Sequence, residues 1–112
     1  MTTERDVARL EHMLAQARKL LERAQTITRD DLDRDEDLGA AIAWRLSVIG
    51  EAAARLSQIT RDQHPEIPWT QVIGMRHRLI HGYDAIDLDI VWQTIQLDLP
   101  PLVTALEAIL NP

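Results

Sequence analysis

The chemistry in this chain gathers in one stretch, Arg76-His77-Arg78-Leu79-Ile80-His81-Gly82-Tyr83, which puts two arginines, two histidines and a tyrosine into eight residues. A guanidinium binds phosphoryl oxygens in a bidentate way and keeps its charge. An imidazole exchanges protons near neutral pH. Together these groups suit cleavage of RNA without a metal. The 2′-hydroxyl attacks the neighbouring phosphorus, a histidine relays a proton, and an arginine stabilises the charge that develops on the phosphoryl oxygens.

Spacing limits how these groups meet. Each residue of a continuous helix turns about 100°. Arg76 and Tyr83, seven apart, then nearly share a face, whereas Arg76 and His81 diverge by roughly 140° on the same arithmetic. They converge within one chain only if the helix ends near His81, which Gly82 permits; otherwise they meet across a subunit interface. Two other readings stay open on the residues alone. Basic side chains collect at helix C-termini because the dipole favours them there. His77 and His81, at i and i+4, also suit a metal pair, although no third ligand stands out beyond Asp84 and Asp87 nearby.

The elements that must position this stretch read as helices. Over residues 4–26, Val7, Leu10, Leu14, Ala17, Leu21 and Ala24 recur at steps of three and four, one apolar stripe. Thr3 is the expected N-cap, and His12 falls off the stripe as a surface residue. Residues 27–37 are a charged connection; its aspartates lack the glycine and closing glutamate of a calcium loop. A second helix is expected over 37–58, with Ile42, Leu46, Ile49, Ala53 and Leu56 on its stripe. Gly50 within it admits a close neighbour, at a cost of about 1 kcal/mol relative to alanine. Glu51 beside it faces either a basic site or water. Trp44 departs from the stripe and suits a helix edge or a dimer contact. Residues 59–68 form a connector ending His64-Pro65-Glu66-Ile67-Pro68. A third helix is expected over 68–81, with Gly82 as the residue that stops it. Asp87 caps a last helix over 88–110, whose four-three rhythm runs through Pro100-Pro101 and predicts one long helix kinked there.

The result is one all-α domain over residues 1–112, an antiparallel four-helix bundle. The sequence has no cysteine, which excludes a disulfide framework, a zinc–thiolate site and a thiol nucleophile. Its charged N-terminus does not resemble a signal peptide, and no apolar run approaches the roughly 18 residues of a membrane span. A net charge of −6 argues against a broad electrostatic grip on nucleic acid, leaving room for a local basic site.

Arg76-x4-His81-x-Tyr83 resembles the motif of HepT-like toxins in the HEPN superfamily, the DUF86 family. Ile49-Gly50-Glu51-Ala52-Ala53, His64-Pro65-Glu66-Ile67-Pro68-Trp69 and Asp87-Leu88-Asp89-Ile90-Val91-Trp92 also look like that family, in the same order, so the likeness covers nearly the whole chain. The resemblance implies a HEPN-type bundle that forms a homodimer, with two motifs facing each other in a shared cleft. It implies a metal-independent ribonuclease of the cytoplasm, needing no cofactor and acting on an RNA such as tRNA or mRNA, as the toxin of a toxin–antitoxin pair. Arg76 and His81 map to the catalytic pair, His77 and Arg78 to supporting positions. His77 stands at a polar position that is often asparagine in the family. The implied partner is a minimal nucleotidyltransferase (MNT) antitoxin, which in this family can transfer AMP to the motif tyrosine, here Tyr83. The competing expectations are a non-catalytic HEPN module that holds nucleotide or partner for a nucleotidyltransferase, and a purely structural dimeric bundle.

Overall fold

Helix α1 (Glu4–Ala24) forms where the first apolar stripe predicts it. The Thr3 hydroxyl accepts a hydrogen bond from the Asp6 N–H at 3.1 Å, which satisfies one of the backbone donors left orphaned at a helix start. The computed structural model describes residues 2–82 and 85–112. After α1 come α2 (Arg29–Arg34), α3 (Glu36–Ala54), α4 (Gln58–Gln63), α5 (Trp69–Ile73) and α6 (Met75–Leu79). Two-residue strands follow, β1 (Ile80–His81) and β2 (Ala85–Ile86), then α7 (Leu88–Gln93), a π-helical turn (Thr94–Asp98) and α8 (Leu99–Leu110). The fold is all-α apart from that small ladder, as the periodicity predicts.

Leu10, Met13, Ala17 and Leu20 of α1 are buried against α3 and α8. They meet Leu46, Ile49, Ala53, Leu99 and Leu106, also buried, and each fully buried leucine or isoleucine contributes about 1.5–3 kcal/mol. Helices α1 and α3 run antiparallel. Arg9 Nη1 donates to the Arg55 carbonyl at 2.8 Å, and Arg45 Nη1 donates to Gln16 Oε1 at 2.9 Å, so early residues of one helix meet late residues of the other. Gly50 is required where α3 crosses the end of α5. A Cβ there would stand 2.7 Å from the Val72 carbonyl oxygen, so the backbone approach tolerates hydrogen only.

Asp6 is buried at the same end of the bundle. Its carboxylate accepts from the hydroxyls of Ser57 at 2.6 Å and Thr60 at 2.7 Å, and from the Ser57 N–H at 3.2 Å. Burial alone would raise its pKa. The bonds from Ser57 and Thr60, with Arg9 nearby, outweigh burial and hold the carboxyl below its ordinary value. The aspartate thereby ties the start of α1 to the turn between α3 and α4.

Four boundaries differ from the sequence reading. The charged connection contains α2, whose start is held by the Asp31 carboxylate accepting from the Thr28 N–H at 2.8 Å. The connector after α3 contains α4, capped by the Ser57 hydroxyl. The third helix is two short helices separated at Gly74, and it ends at Leu79 rather than 81. The last segment is helical from Leu88 to Leu110, as the rhythm predicts, but it is not α-helix throughout. Its departure from α geometry is the π-helical turn just before the prolines, where the Leu99 N–H reaches back to the Thr94 carbonyl. Pro100 and Pro101 offer no N–H of their own, and the wider turn precedes them. Among the described residues, no helix is long and apolar enough to cross a membrane.

Candidate active site

The motif begins on α6, which is anchored by Met75 and Leu79, four apart and buried in the core. That anchoring turns Arg76 and His77 outward, and both are exposed. Arg76 has no carboxylate within ion-pair distance among the described residues. Arg78 is turned the other way: Nη1 lies 3.8 Å from Asp98 Oδ2 and Nη2 donates to the Gln71 carbonyl at 3.4 Å. It therefore braces α6 against α5 and the π-helical turn.

Helix α6 stops because Ile80 adopts extended geometry, φ −120° and ψ 121°, and pairs with Ile86 while His81 pairs with Ala85. The Asp87 N–H donates to the Leu79 carbonyl at 2.8 Å, closing the helix end. Gly82 has φ 72°, a conformation that favours glycine, so it serves as a turn residue after the strand rather than as the direct helix stop. The metal-pair reading loses its premise here: His77 is on a helix and His81 on a strand, so they are not stacked one helical turn apart. Among the described residues, no group of three or more histidine, aspartate or glutamate side chains is placed to hold a metal ion.

His81 is exposed, and its Nε2 lies 3.6 Å from Asp87 Oδ2. The other carboxylate oxygen of Asp87 caps α7, accepting from the Ile90 N–H at 3.1 Å. One side chain thus fixes the start of α7 and faces the histidine. The sequence reading assigned Asp87 only the cap. The available signal was the placement of His81 and Asp87 on either side of the Gly82 turn, which folds them together. No hydrogen bond or ion pair joins Arg76 to His81 among the described residues. Tyr83, the proposed modification site, lies outside the described residues.

A family model described as "Ribonuclease HepT-like" matches residues 13–109. The chain belongs to the HepT-like family. A protein of Caldanaerobacter subterraneus subsp. tengcongensis named "Putative RNase" is 37% identical over 102 residues, covering 91% of each chain. A "Probable ribonuclease HepT" of Thermococcus cleftensis is 34% identical over 90 residues, 80% of this chain and 82% of its own. A Methanocaldococcus jannaschii protein, also named "Putative RNase", is 29% identical over 108 residues, 96% and 99% of the two chains. No solved structure matches this chain. In this HepT-like chain the matched region contains α3, α6, both strands and all but the last residue of α8, so Arg76, His77, Arg78, His81 and Asp87 all fall within it.

Proposed function

We propose that this chain is a metal-independent endoribonuclease, the toxin of a cytoplasmic toxin–antitoxin pair, and that its active site is composite across a homodimer. Family membership and the names of its relatives support ribonuclease chemistry. The observation that carries the reading is the presentation of the motif: Arg76 exposed without a carboxylate partner among the described residues, and His81 exposed with Asp87 behind it. The lack of contact between Arg76 and His81 within a chain favours a site completed by a second copy.

In that site Arg76 binds the non-bridging phosphoryl oxygens and stabilises their growing charge. His81 of one copy takes the proton of the 2′-hydroxyl as its oxygen attacks phosphorus. The P–O bond to the 5′-oxygen breaks, and that oxygen takes a proton from His81 of the second copy. A 2′,3′-cyclic phosphate and a 5′-hydroxyl result. Asp87 sets the orientation of the ring, His77 stands beside Arg76 on α6, and Arg78 braces that helix against its neighbours.

Control is assigned to a nucleotidyltransferase partner. The Tyr83 phenol oxygen attacks the α-phosphorus of ATP, pyrophosphate leaves, and the phenolic proton passes to a base of that partner. The attached AMP adds a phosphodiester anion to the motif, which competes with RNA for its cations by charge and by volume. The test is induction of wild type and His81→Ala in cells, with growth and cellular RNA followed and folding checked. Growth arrest with new RNA fragments, both absent in the folded variant, is expected. Arrest-free, uncleaved cells with unmodified wild type would replace this reading with that of a nucleotide- or partner-holding module.

A further inference from the structure

We propose that the groove between α1 and α3 is a track for the backbone of single-stranded RNA, with Trp44 beside it as a stacking platform for a base. The proposal rests on the ribonuclease reading and names how that activity holds a substrate beyond the motif.

Helix α1 sorts its charges by face. Arg5, Arg9, His12, Gln16, Lys19 and Arg23 follow one another at steps of four and three, a row with no carboxylate. Glu4, Glu11 and Glu22 lie roughly 100° or more away around the helix. Helix α3 lays Arg45 and Arg55 along the facing edge. Arg5, Arg9 and Arg55 line one cavity between α1 and α3, and Lys19, Arg23 and Arg45 line a second further along the same pair of helices. Half of the chain's 12 lysines and arginines therefore stand along a line of about 27 Å, the rise from residue 5 to 23.

Among the described residues, all of these cations but Arg9 stand without a carboxylate in ion-pair range. Arg45 donates to the Gln16 amide oxygen, Arg9 to the Arg55 carbonyl at 2.8 Å, and Arg23 to the Thr26 hydroxyl at 3.1 Å. Among the described residues only Arg9 of the six has a carboxylate in range, Asp6 at 3.7 Å. Among the described residues elsewhere, Arg18, Arg29 and Arg78 each face a carboxylate, while Arg34, Arg61 and Arg76 do not. Glu51 is the one acid lining the groove. Neutral acceptors orient guanidinium groups while leaving their charge for an external anion. On a chain of net charge −6, such a row is the surface on which a polyanion can settle.

The groove also has an aromatic neighbour. Trp44 is 64% exposed, three residues after Ala41 and four before Val48, which line the two cavities, so it stands on the neighbouring strip of α3. A cationic groove flanked by an exposed ring is the arrangement that binds single strands, backbone in the groove and bases on the ring. The opposite flank of α3 packs on α5 and α6 at Gly50. The outer face that carries Trp44 therefore connects the groove to the helix bearing Arg76.

The test uses anisotropy of a labelled single-stranded RNA oligonucleotide, in a His81→Ala background that leaves the probe intact, across a salt series. Replacing Arg5, Lys19 and Arg55 together by glutamine is expected to weaken binding and to make the log–log salt slope shallower by about 2, from about 0.7 per phosphate contact. Trp44→Ala is expected to weaken binding roughly 5- to 150-fold with the slope kept. Glu51→Gln is expected to tighten it, a gain that misfolding cannot mimic. Unchanged affinity and slope in the triple variant would overturn the track, and so would loss of nucleotidyltransferase binding with RNA binding intact. Cleavage in the His81 chain is read separately. A wild type that cleaves with an inert groove keeps the ribonuclease reading alone. One that binds through the groove without cleaving keeps the groove alone.

Discussion

Asp87 is the residue at which structure and chemistry can be separated most cleanly. One of its oxygens accepts from the Ile90 N–H at 3.1 Å and the other faces His81 Nε2 at 3.6 Å. Serine is as good an N-cap as aspartate, whereas alanine loses about 0.5–2 kcal/mol. Serine is also one carboxyl carbon too short to reach the histidine. Asp87→Ser should therefore keep the fold and lose the ring's orientation. Asp87→Ala should lose both, melting several degrees lower, since about 1 kcal/mol shifts a domain near this size by roughly 4–8 °C. A positioned histidine contributes about 10²–10⁴-fold to rate. Removing what aims it should cost at least about tenfold of that in both variants. The assay is the initial rate of RNA cleavage across pH, beside thermal melts of wild type, Asp87→Ser and Asp87→Ala. An Asp87→Ser protein with wild-type rate and an unaltered pH profile would show that the carboxylate is a cap alone, and the account of His81 positioning would fall.

Two further outcomes follow from packing and from the buried carboxylate. Gly50→Ala puts a Cβ 2.7 Å from the Val72 carbonyl oxygen; overpacking of about 1–3 kcal/mol against a helix-propensity gain of about 1 kcal/mol leaves a net loss, and urea unfolding with an unshifted midpoint would contradict it. Asp6 has a lowered pKa in the folded chain. Its contribution is therefore fully present above the unfolded carboxyl's value of about 3.9 and fades as pH falls through the lower folded value. Asp6→Asn should destabilise by about 1.5–3 kcal/mol at neutral pH, and the gap to wild type should close below about pH 4; a gap of equal size at pH 7 and pH 3 would refute this.

Local signals carried the long elements of the fold. The stripes on α1, α3 and α8 are read directly from steps of three and four, and the caps at Thr3 and Asp87 from residue type at a helix start. What escaped depends on partners distant in sequence or on competing signals. Charge density hid α2, although Thr28 and Asp31 at three-residue spacing are a capping signal. Ile80 and His81 leave the helix because Ile86 and Ala85 return to pair with them, which no helical wheel contains. The burial of Asp6 requires Ser57 and Thr60, more than fifty residues away. The cationic row on α1 was legible at the same spacing as the apolar one.

The two halves of the motif rest on foundations of unequal strength. Arg76 rides a turn of helix nailed to the core by Met75 and Leu79, so displacing its backbone exposes buried apolar side chains. His81 sits on a ladder two residues long, and short, exposed elements open at a free energy far below that of the whole domain. The histidine can therefore be withdrawn while the bundle persists intact. On the proposed ribonuclease reading, catalytic competence and thermodynamic stability become separate quantities, and a partner that grips only this ladder would set one without touching the other.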